Sequence, residues 1–174
     1  MESGGSATAT LPATGTYTIL VGDGKYYSYE GYDNQTGQYG LSLQCIACTK
    51  LRYEEDDPAI RYTGAWHNYT SDKCSGGALK YAGDTGAKAE FSFHGIGIKW
   101  IVTTEKRQGK ANAYLDGAYL GMVDLYSLSP QYQTVLEKTG LSPGDHTVAI
   151  EVSGQKNPQS KGNYINIDAF EVVP

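Results

Sequence analysis

Glycine and proline interrupt this chain too often for helices of ordinary length. With 22 glycines and 6 prolines in 174 residues, no stretch of ten or more residues keeps an apolar spacing near about 3.6 without a breaker. Short runs in which apolar and polar residues alternate are frequent instead, and such alternation is typical of strands with one buried face. The sequence therefore predicts an all-β fold.

Two runs near the middle of the chain give the clearest strand signals. In AKAEFSFH, residues 87–94, four apolar side chains fall on one face, and IGIKWIV, residues 96–102, alternates in the same way. We expect these runs to form a hairpin around Gly95. The pair Asp116-Gly117 marks a second hairpin, and the sequence from Ser142 to Asp145 marks a Pro-Gly turn.

Further strand signals are spread over the chain from residue 51 onward. They are LRYEE, AIRYTGAW, ALKYAG and the segments 111–115, 118–126, 131–138, 146–152 and 163–173. About nine strands at this spacing predict a two-sheet antiparallel β-sandwich of the jelly-roll kind.

The first 50 residues differ in texture from the rest. Six of the 15 tyrosines lie between positions 17 and 39. We expect residues 1–14 to be a disordered linker, residues 15–50 to be a β-hairpin appendage or a fragment of a preceding domain, and residues 51–174 to be the sandwich. The hairpin would dock on the sandwich, pair with another copy, or be the remnant of a neighbouring domain, because an isolated hairpin is marginal in water.

Charge and hydrophobicity exclude several classes of protein. The net charge is -5, with no basic tail and no apolar run near the roughly 20 residues that span a bilayer. We therefore expect neither a membrane span nor a nucleic-acid partner. The first residues, MESGGSATAT, lack the basic and apolar regions of a secretion signal, so we expect the chain to be a piece of a longer polypeptide.

Five segments between residues 53 and 174 carry a resemblance to a known family. They are YTGAW, GAKAEFSFHGIGIKWI, GKANAYLDGAYLGMVDLYS, TGLSPGDHTVAIEVSGQKNPQSKG and YINIDAFEV. Together they resemble the galactose-binding-like jelly-roll modules of secreted proteins, many of them carbohydrate-binding modules. The resemblance implies the fold and a secreted or cell-surface parent, but not a ligand, because such modules also serve as adhesion units and passive accessories.

The same resemblance implies a structural Ca²⁺ between the first and last strands. Related modules hold it with carboxylates at i and i+2 and with a late Asp, which here correspond to Glu54, Asp56 and Asp168. Carboxylate oxygens are the ligands that calcium requires. The alternative is a solvated acidic run that ends in a turn at Pro58.

Residues 15–44 carry a second, shorter resemblance. The segments TGTYTILVGDG and TGQYGLSLQ resemble the last strands of a bacterial pre-peptidase C-terminal-type domain. This likeness implies that the chain begins inside such a domain.

Three cysteines and three histidines are the candidates for reactive chemistry. Cys45 and Cys48 form a C-x-x-C, but no helix follows that would lower a thiol pKa, and no zinc-ligand spacing is present. We predict a disulfide from Cys74 to Cys48 or Cys45, in keeping with extracellular use of disulfides. His67, His94 and His146 have no nucleophile motif around them, so we expect no catalysis.

Sugar recognition needs flat aromatic faces and planar polar groups in a shallow site on rigid strands. Trp66, which opens a long polar loop predicted for residues 67–77, is a candidate platform; the alternative is a lid over one open end of the sandwich. Trp100 alternates in step with its apolar neighbours, which predicts a core position instead.

A cluster of loops is the second candidate for the ligand site. If strands from residue 78 onward alternate in direction, the loops at 82–86, 103–109, 126–131 and 153–162 gather at one end and Trp66 lies at the other. We predict ligand contacts at the first end from Lys106, Arg107, Gln108, Tyr126, Lys156 and Asn157. A positive patch with amides and an aromatic suits an acidic glycan, whose carboxylate Arg binds bidentately. The alternative is a solvated loop cluster without a ligand.

Two functions of different classes follow from these observations. The first is a non-catalytic carbohydrate-binding module whose partner is a polysaccharide or glycan. The second is an adhesion or structural module that packs on a neighbouring domain or partner protein, which the tyrosines at 26–39 favour, because exposed tyrosines are common interface anchors. A lyase or hydrolase would need a catalytic constellation that the sequence does not offer.

Overall fold

The structure, a computed structural model, describes residues 51–174. The linker predicted for residues 1–14 and the hairpin predicted for residues 15–50 lie outside the described residues. The strands are β1 (Arg52–Glu54), β2 (Ile60–Thr63), β3 (His67–Thr70), β4 (Ala78–Ala82), β5 (Lys88–Thr104), β6 (Lys110–Leu115), β7 (Ala118–Asp124), β8 (Gln131–Val152), β9 (Ile165–Ile167) and β10 (Ala169–Val173).

These strands form two antiparallel sheets, which confirms the predicted sandwich. The larger sheet has the order β1-β10-β5-β8-β6-β7, with β2 paired to β5, and the smaller sheet has the order β3-β4-β9. A 3₁₀ turn at Ser75–Gly77 joins β3 to β4. No helix in the described part of the chain is long and apolar enough to cross a membrane.

The hairpin predicted around Gly95 is wrong, because β5 runs through this residue without ending. The register with β8 shifts between Gly95 and Gly97, which marks a β-bulge. Buried positions are odd from Ala89 to Gly97, and after the shift Ile98, Trp100 and Val102 are buried together with Ile101 and Thr103. Both halves of β5 therefore contribute side chains to the core. A Cβ on Gly95 would collide with the carbonyl oxygen of Val173, and the glycine therefore permits close packing of β10.

The turn predicted from Ser142 to Asp145 is wrong for the same reason, since β8 also continues past it. Thr139 pairs with Gly97 and Gly144 pairs with Gly95, so the residues between them bulge out of the strand opposite the irregularity in β5. Gly140 has a φ of 75°, a backbone conformation that glycine adopts readily. Proline is tolerated in a sheet at such bulges.

The hairpin predicted at Asp116-Gly117 is confirmed. These residues connect β6 to β7 with positive φ values of 51° and 77°, as a tight two-residue turn requires. The Asp116 carboxylate also accepts a hydrogen bond from the backbone N–H of Thr147 at 2.8 Å, which fixes the turn to β8.

The core lies between the two halves of the bent strand β5. Phe91 from the first half stacks on Phe170 at 5.3 Å between ring centroids, and Phe170 pairs with Trp100 in the second half. Trp100 is only 4% exposed and donates its indole N–H to the carbonyl of Asn166 at 3.1 Å. The predicted core position of Trp100 is therefore confirmed.

The loops expected to gather at one end do lie together. The amide of Asn163 donates to the carbonyl of Gly83 at 2.8 Å, and the N–H of Lys161 donates to the carbonyl of Lys106 at 2.8 Å. The hydroxyl of Tyr126 donates to the side-chain oxygen of Gln159 at 3.2 Å. These bonds connect the loops near residues 83, 106, 126 and 160 into one surface.

Candidate functional site

A cavity of about 200 Å³ opens between the smaller sheet and the adjoining ends of β5 and β8. We call it the tyrosine pocket. Its lining is Tyr69, Leu79, Tyr81, Thr103, Glu105, Arg107, Gln108, Tyr132 and Tyr164. Aromatic rings and planar polar groups thus converge on one concave surface.

The smaller sheet places two of the tyrosines on one face. Tyr69 of β3 pairs with Leu79 of β4, and Tyr81 lies two residues further along β4, so the three side chains point the same way. Tyr164 then meets Tyr81 edge to face, with 5.5 Å between ring centroids. Gly83 makes room for this contact, because a Cβ there would lie 2.8 Å from the Tyr164 ring.

Hydrogen bonds fix the polar wall of the pocket. Gln108 forms a parallel bridge with Tyr164, supported by the bond from the Gly109 N–H to the Tyr164 carbonyl at 2.7 Å. The buried Asn166 amide makes two bonds with the backbone of Thr103, at 2.9 Å and 2.7 Å. A site of this kind is therefore preorganised before any ligand arrives.

Two buried polar atoms of the pocket have no hydrogen-bond partner among the described residues. They are Oγ1 of Thr103 and Oε1 of Gln108, and both residues are 6% exposed. Buried polar groups in proteins are almost always satisfied, because an unpaired one costs about 1–3 kcal/mol. A ligand with hydroxyl or amine groups in the pocket would supply the missing partners.

The outer wall of the pocket is tied to the loop that precedes the smaller sheet's second strand. The amide of Gln133 donates to the carbonyl of Lys73 at 3.1 Å, and the Lys73 ammonium lies over the Tyr132 ring at 5.3 Å from its centroid. Burial, and then the proximity of Tyr69, raise the pKa of Tyr132. The Tyr132 hydroxyl therefore stays protonated at neutral pH and is able to donate a hydrogen bond.

The structure brings two of the predicted ligand residues into the pocket and leaves four outside its lining. Arg107 and Gln108 line it. Asn157 donates its amide to Asp124 at 3.0 Å, Tyr126 donates to Gln159, and Lys106 and Lys156 are exposed on the neighbouring loops.

Trp66 also lies outside the pocket lining. Its indole N–H donates to the carbonyl of Thr63 at 3.1 Å, its ring lies 4.9 Å from that of Tyr62, and it packs partly buried against the core. The segment after it begins as strand β3 and not as a loop, which is a correction. Because β3 pairs with β4, this segment delivers Tyr69 to the same pocket as Arg107 instead of to the opposite end.

The residues that the sequence did not identify are mainly tyrosines on strands. Tyr81, Tyr132 and Tyr164 lie in ordinary alternating runs. In such a run an aromatic residue predicts a position in the core and gives no sign of ligand binding. Thr103 lies near the end of β5 and Glu105 directly after it, and neither belongs to a motif. Only the i, i+2 spacing of Leu79 with Tyr81 indicates a shared face, and spacing alone cannot show which face that is.

The proposed calcium ligands are brought together only in part. Asp168 is 0% exposed, and its Oδ1 accepts from the Ser75 N–H at 2.8 Å. Its Oδ2 and the Oε2 of Glu54 are buried without a hydrogen-bond partner among residues 51–174. Asp56 is exposed. Among residues 51–174 no group of three or more His, Cys, Asp or Glu side chains is placed to hold a metal. Glu54 and Asp168 nevertheless offer the hard oxygen atoms that a calcium ion accepts.

The electrostatics of this acidic cluster are unfavourable without a cation. Burial, followed by the neighbouring charges of Glu54 and Glu55, raises the pKa of Asp168 to about 6. Burial likewise raises the pKa of Glu55. Arg52 is the compensating charge, with its Nε 3.3 Å from Oε1 of Glu54.

Cys74 is a buried thiol at the N-terminal side of the 3₁₀ turn and forms no disulfide with another residue of the described part of the chain. Burial, with the charge of Asp168 next, raises the pKa of Cys74 to about 11, so it is not a nucleophile at neutral pH. The predicted partners Cys45 and Cys48 lie outside the described residues, and the disulfide stays a prediction.

Comparison with known proteins relates the chain to parts of carbohydrate-active enzymes. It is 32% identical over 97 residues to an A type blood N-acetyl-alpha-D-galactosamine deacetylase from Flavonifractor plautii, a match that covers 56% of this chain and 13% of the relative. It is 28% identical over 102 residues to an A type blood alpha-D-galactosamine galactosaminidase from the same organism, covering 59% of this chain and 10% of the relative. The chain therefore spans only a small part of either enzyme.

Several solved structures have a similar fold. A xanthan lyase from Paenibacillus matches with a TM-score of 0.58 and 21% identity, over 79% of this chain and 14% of the lyase. A cycloisomaltooligosaccharide glucanotransferase from Paenibacillus matches with a TM-score of 0.50 and 21% identity, over 70% of this chain and 18% of that enzyme. A family 35 carbohydrate-binding module from Clostridium thermocellum is matched over its whole length, with a TM-score of 0.49 and 17% identity.

No protein-family model matches the chain. The resemblance of residues 15–44 to a pre-peptidase C-terminal-type domain receives no support from these comparisons. What they establish is an all-β sandwich domain that is similar to portions of carbohydrate-active proteins.

Proposed function

We propose that the chain is a non-catalytic carbohydrate-binding module of a larger secreted or cell-surface protein, and that it binds glycan in the tyrosine pocket. The observation that carries this proposal is the pocket itself: four tyrosines line it together with Thr103 and Gln108, each of which has a buried polar atom without a partner among residues 51–174. Tyrosine rings provide apolar faces for a pyranose, and the polar atoms provide partners for its hydroxyls.

The relatives favour the same class of ligand. Both Flavonifractor plautii proteins are named for reactions on galactosamine-containing sugars, and the matched segment of this chain covers 13% of one and 10% of the other. A segment of that size fits an accessory module better than a catalytic domain. Its role would be to hold a parent enzyme or adhesin on a glycan.

The acidic glycan expected from the sequence stays a prediction. The charged residues of the pocket lining favour it less than the basic residues of the loops did in the sequence. Of the basic side chains at this end, only Arg107 lines the pocket. Its Nε lies 3.9 Å from Oε1 of Glu105, so the charge available to a ligand carboxylate is partly offset.

Binding to a glycan panel tests the proposal. The chain should bind neutral, acidic or amino-sugar glycans with a dissociation constant between about 1 μM and 1 mM. Tyr164→Ala should weaken binding about fivefold or more, since stacking against an aromatic ring contributes about 1 kcal/mol or more. Tyr119→Ala is the matched control, because Tyr119 is 56% exposed on β7 outside the pocket. Equal affinity for the two variants would contradict the location.

Three further variants separate the alternatives that the sequence left open. Arg107→Ala should weaken binding, whereas Lys156→Ala and Trp66→Ala should leave the affinity unchanged if the tyrosine pocket is the site. A loss confined to Trp66→Ala would move the site to that residue, and a loss with Lys156→Ala would favour an acidic glycan on the outer loops.

We also propose that Glu54 and Asp168 hold a structural Ca²⁺. The support is the pair of buried carboxylate oxygens without partners and the charge that burial leaves uncompensated. The ion would neutralise the cluster and connect β1 to the segment before β10. Chelation should then lower the melting temperature, and an unchanged melting temperature would contradict calcium binding.

A second candidate function, packing on a neighbouring domain or partner protein, has one observation in its favour. An apolar groove of about 350 Å³ lies between β7 and the first half of β8, and Leu120 and Met122 on its rim are exposed. The tyrosines at 26–39 that first favoured this function lie outside the described residues. Sedimentation distinguishes the two functions: self-association without glycan binding would favour packing.

A further inference from the structure

The charges of the tyrosine pocket distinguish between classes of sugar. Glu105 and Arg107 are the only charged side chains in its lining. The Arg107 side chain is 71% exposed and the Glu105 side chain 30%, so the carboxylate lies deeper than the guanidinium. A ligand that enters the pocket therefore meets negative charge at its inner end.

The Glu105 carboxylate has no hydrogen-bond donor among residues 51–174. Its nearest cation is the Nε of Arg107 at 3.9 Å, which exceeds hydrogen-bond distance. Its backbone is fixed, because the Glu105 carbonyl accepts bonds from the N–H groups of Gln108 at 3.2 Å and Ser127 at 3.3 Å. The carboxylate thus extends from a fixed backbone and accepts no hydrogen bond from residues 51–174.

Two other polar atoms of the pocket, on Gln108 and Thr103, can accept a hydrogen bond from a ligand. The Oε1 of Gln108 is a buried acceptor without a partner, and the Thr103 hydroxyl is unpaired. A ligand carboxylate would add further acceptors beside them and would be repelled by Glu105. A ligand ammonium would donate to these atoms and would be attracted by that charge.

The tyrosine rings also favour a ligand that carries an ammonium group. The face of an aromatic ring attracts a cation, and an ammonium among several rings is a recognised arrangement in proteins. In this chain the Lys73 ammonium already lies over Tyr132, which shows that a ring of this set accommodates an ammonium group. Four rings and one carboxylate, whose nearest cation among residues 51–174 lies 3.9 Å away, together suit a protonated amine attached to an apolar ring face.

From this arrangement we infer that the tyrosine pocket selects amino sugars with a free, protonated amino group, and that Glu105 is the counter-ion. This inference rests on the proposed glycan-binding function. The sugar ring would lie against the tyrosines while its ammonium faces Glu105 and Gln108. An N-acetylated sugar lacks the charge, and a plain hexose lacks the nitrogen.

The test compares glucosamine and galactosamine with their N-acetylated forms and with glucose and galactose, by NMR titration of the intact chain. At about pH 6 the free amines are protonated, and they should bind about fivefold or more tighter than the other sugars, as expected for one partly exposed ion pair with a cation–π contact. At about pH 9 the amines are neutral and this preference should disappear.

Glu105→Gln should remove the preference for free amines, so that the amino sugars and the uncharged sugars bind this variant with equal affinity. Glu137→Gln is the matched control, because Glu137 is an exposed carboxylate on β8 in the lining of the apolar groove. Binding of uncharged sugars with no preference for amines would overturn this inference while the proposed function stands. Absence of binding by every sugar in a folded chain would overturn both.

Discussion

Replacing Asp168 by asparagine should stabilise the chain in the absence of divalent cations. Burial raises the pKa of this carboxyl from an ordinary 3.8 to about 6, so the ionised form is disfavoured in the fold. At about 1.36 kcal/mol per pH unit, the destabilisation at pH 7 is at most about 3 kcal/mol. Asparagine keeps an oxygen to accept the bond from the Ser75 N–H and carries no charge.

The pH dependence has a definite sign. Because the folded carboxyl keeps a proton that the unfolded one loses, the wild type loses stability as pH rises from 3.8 through about 6. In chelator, the free energy of unfolding of Asp168→Asn should rise relative to that of the wild type as the pH increases over this range. The two free energies, measured by denaturant titration, should be equal near about pH 3.5. Added Ca²⁺ should stabilise the wild type more than the variant.

Asp84→Asn is the matched control, because Asp84 is an exposed carboxylate on a loop. It should change neither the pH dependence nor the response to calcium. An Asp168→Asn variant that is less stable than the wild type in chelator at pH 7 would refute the reasoning, since it would mean that the ionised carboxylate is stabilised by contacts within the chain.

Three other predictions concern the fold. Phe91→Ala, which removes a ring stacked in the core, should lower the free energy of unfolding by about 3–5 kcal/mol in denaturant titrations; a loss under about 1 kcal/mol would contradict the burial. Gly95→Val should lower the melting temperature by several degrees because its Cβ meets the Val173 carbonyl, whereas Gly144→Ala, with open space around it, should not. Bonds from His146 to the Ser142 carbonyl and the Asp116 carboxylate raise the pKa of this histidine, so it contributes stability below about pH 6.5 that is lost as pH rises through the raised pKa; a His146→Gln variant should lack that loss in melting curves between pH 6 and 9.

Sequence reasoning found the fold class because strand periodicity is a local property. The alternation around Phe91 and Trp100 identifies both as core, and Asp116-Gly117 identifies its hairpin. The errors at Gly95 and at Ser142–Asp145 share one cause. A glycine or proline marks a departure from regular strand geometry, but whether the chain reverses or only bends depends on the strand beside it. Here the two irregularities face each other across β5 and β8.

The sequence predicted two residues of the candidate site because charged and amide residues in a loop are visible locally. Which strand faces meet across the two sheets is not visible in the sequence. Arg107 and Gln108 were identified from the loop that contains them. Tyr81 and Tyr132 belong to different sheets. Nothing in the sequence around either residue shows that the beginning of β8 lies near β4. Lys156 was named for its charge, which gives no information about the direction of its side chain.

An NMR titration with the tightest-binding glycan of the panel tests the central claim most directly. Binding in the tyrosine pocket predicts that backbone shift changes concentrate at Tyr69, Tyr81, residues 103–108, Tyr132 and Tyr164. Changes confined to the apolar groove between β7 and β8, or at Trp66 and Lys156 with none in the pocket, would contradict the account.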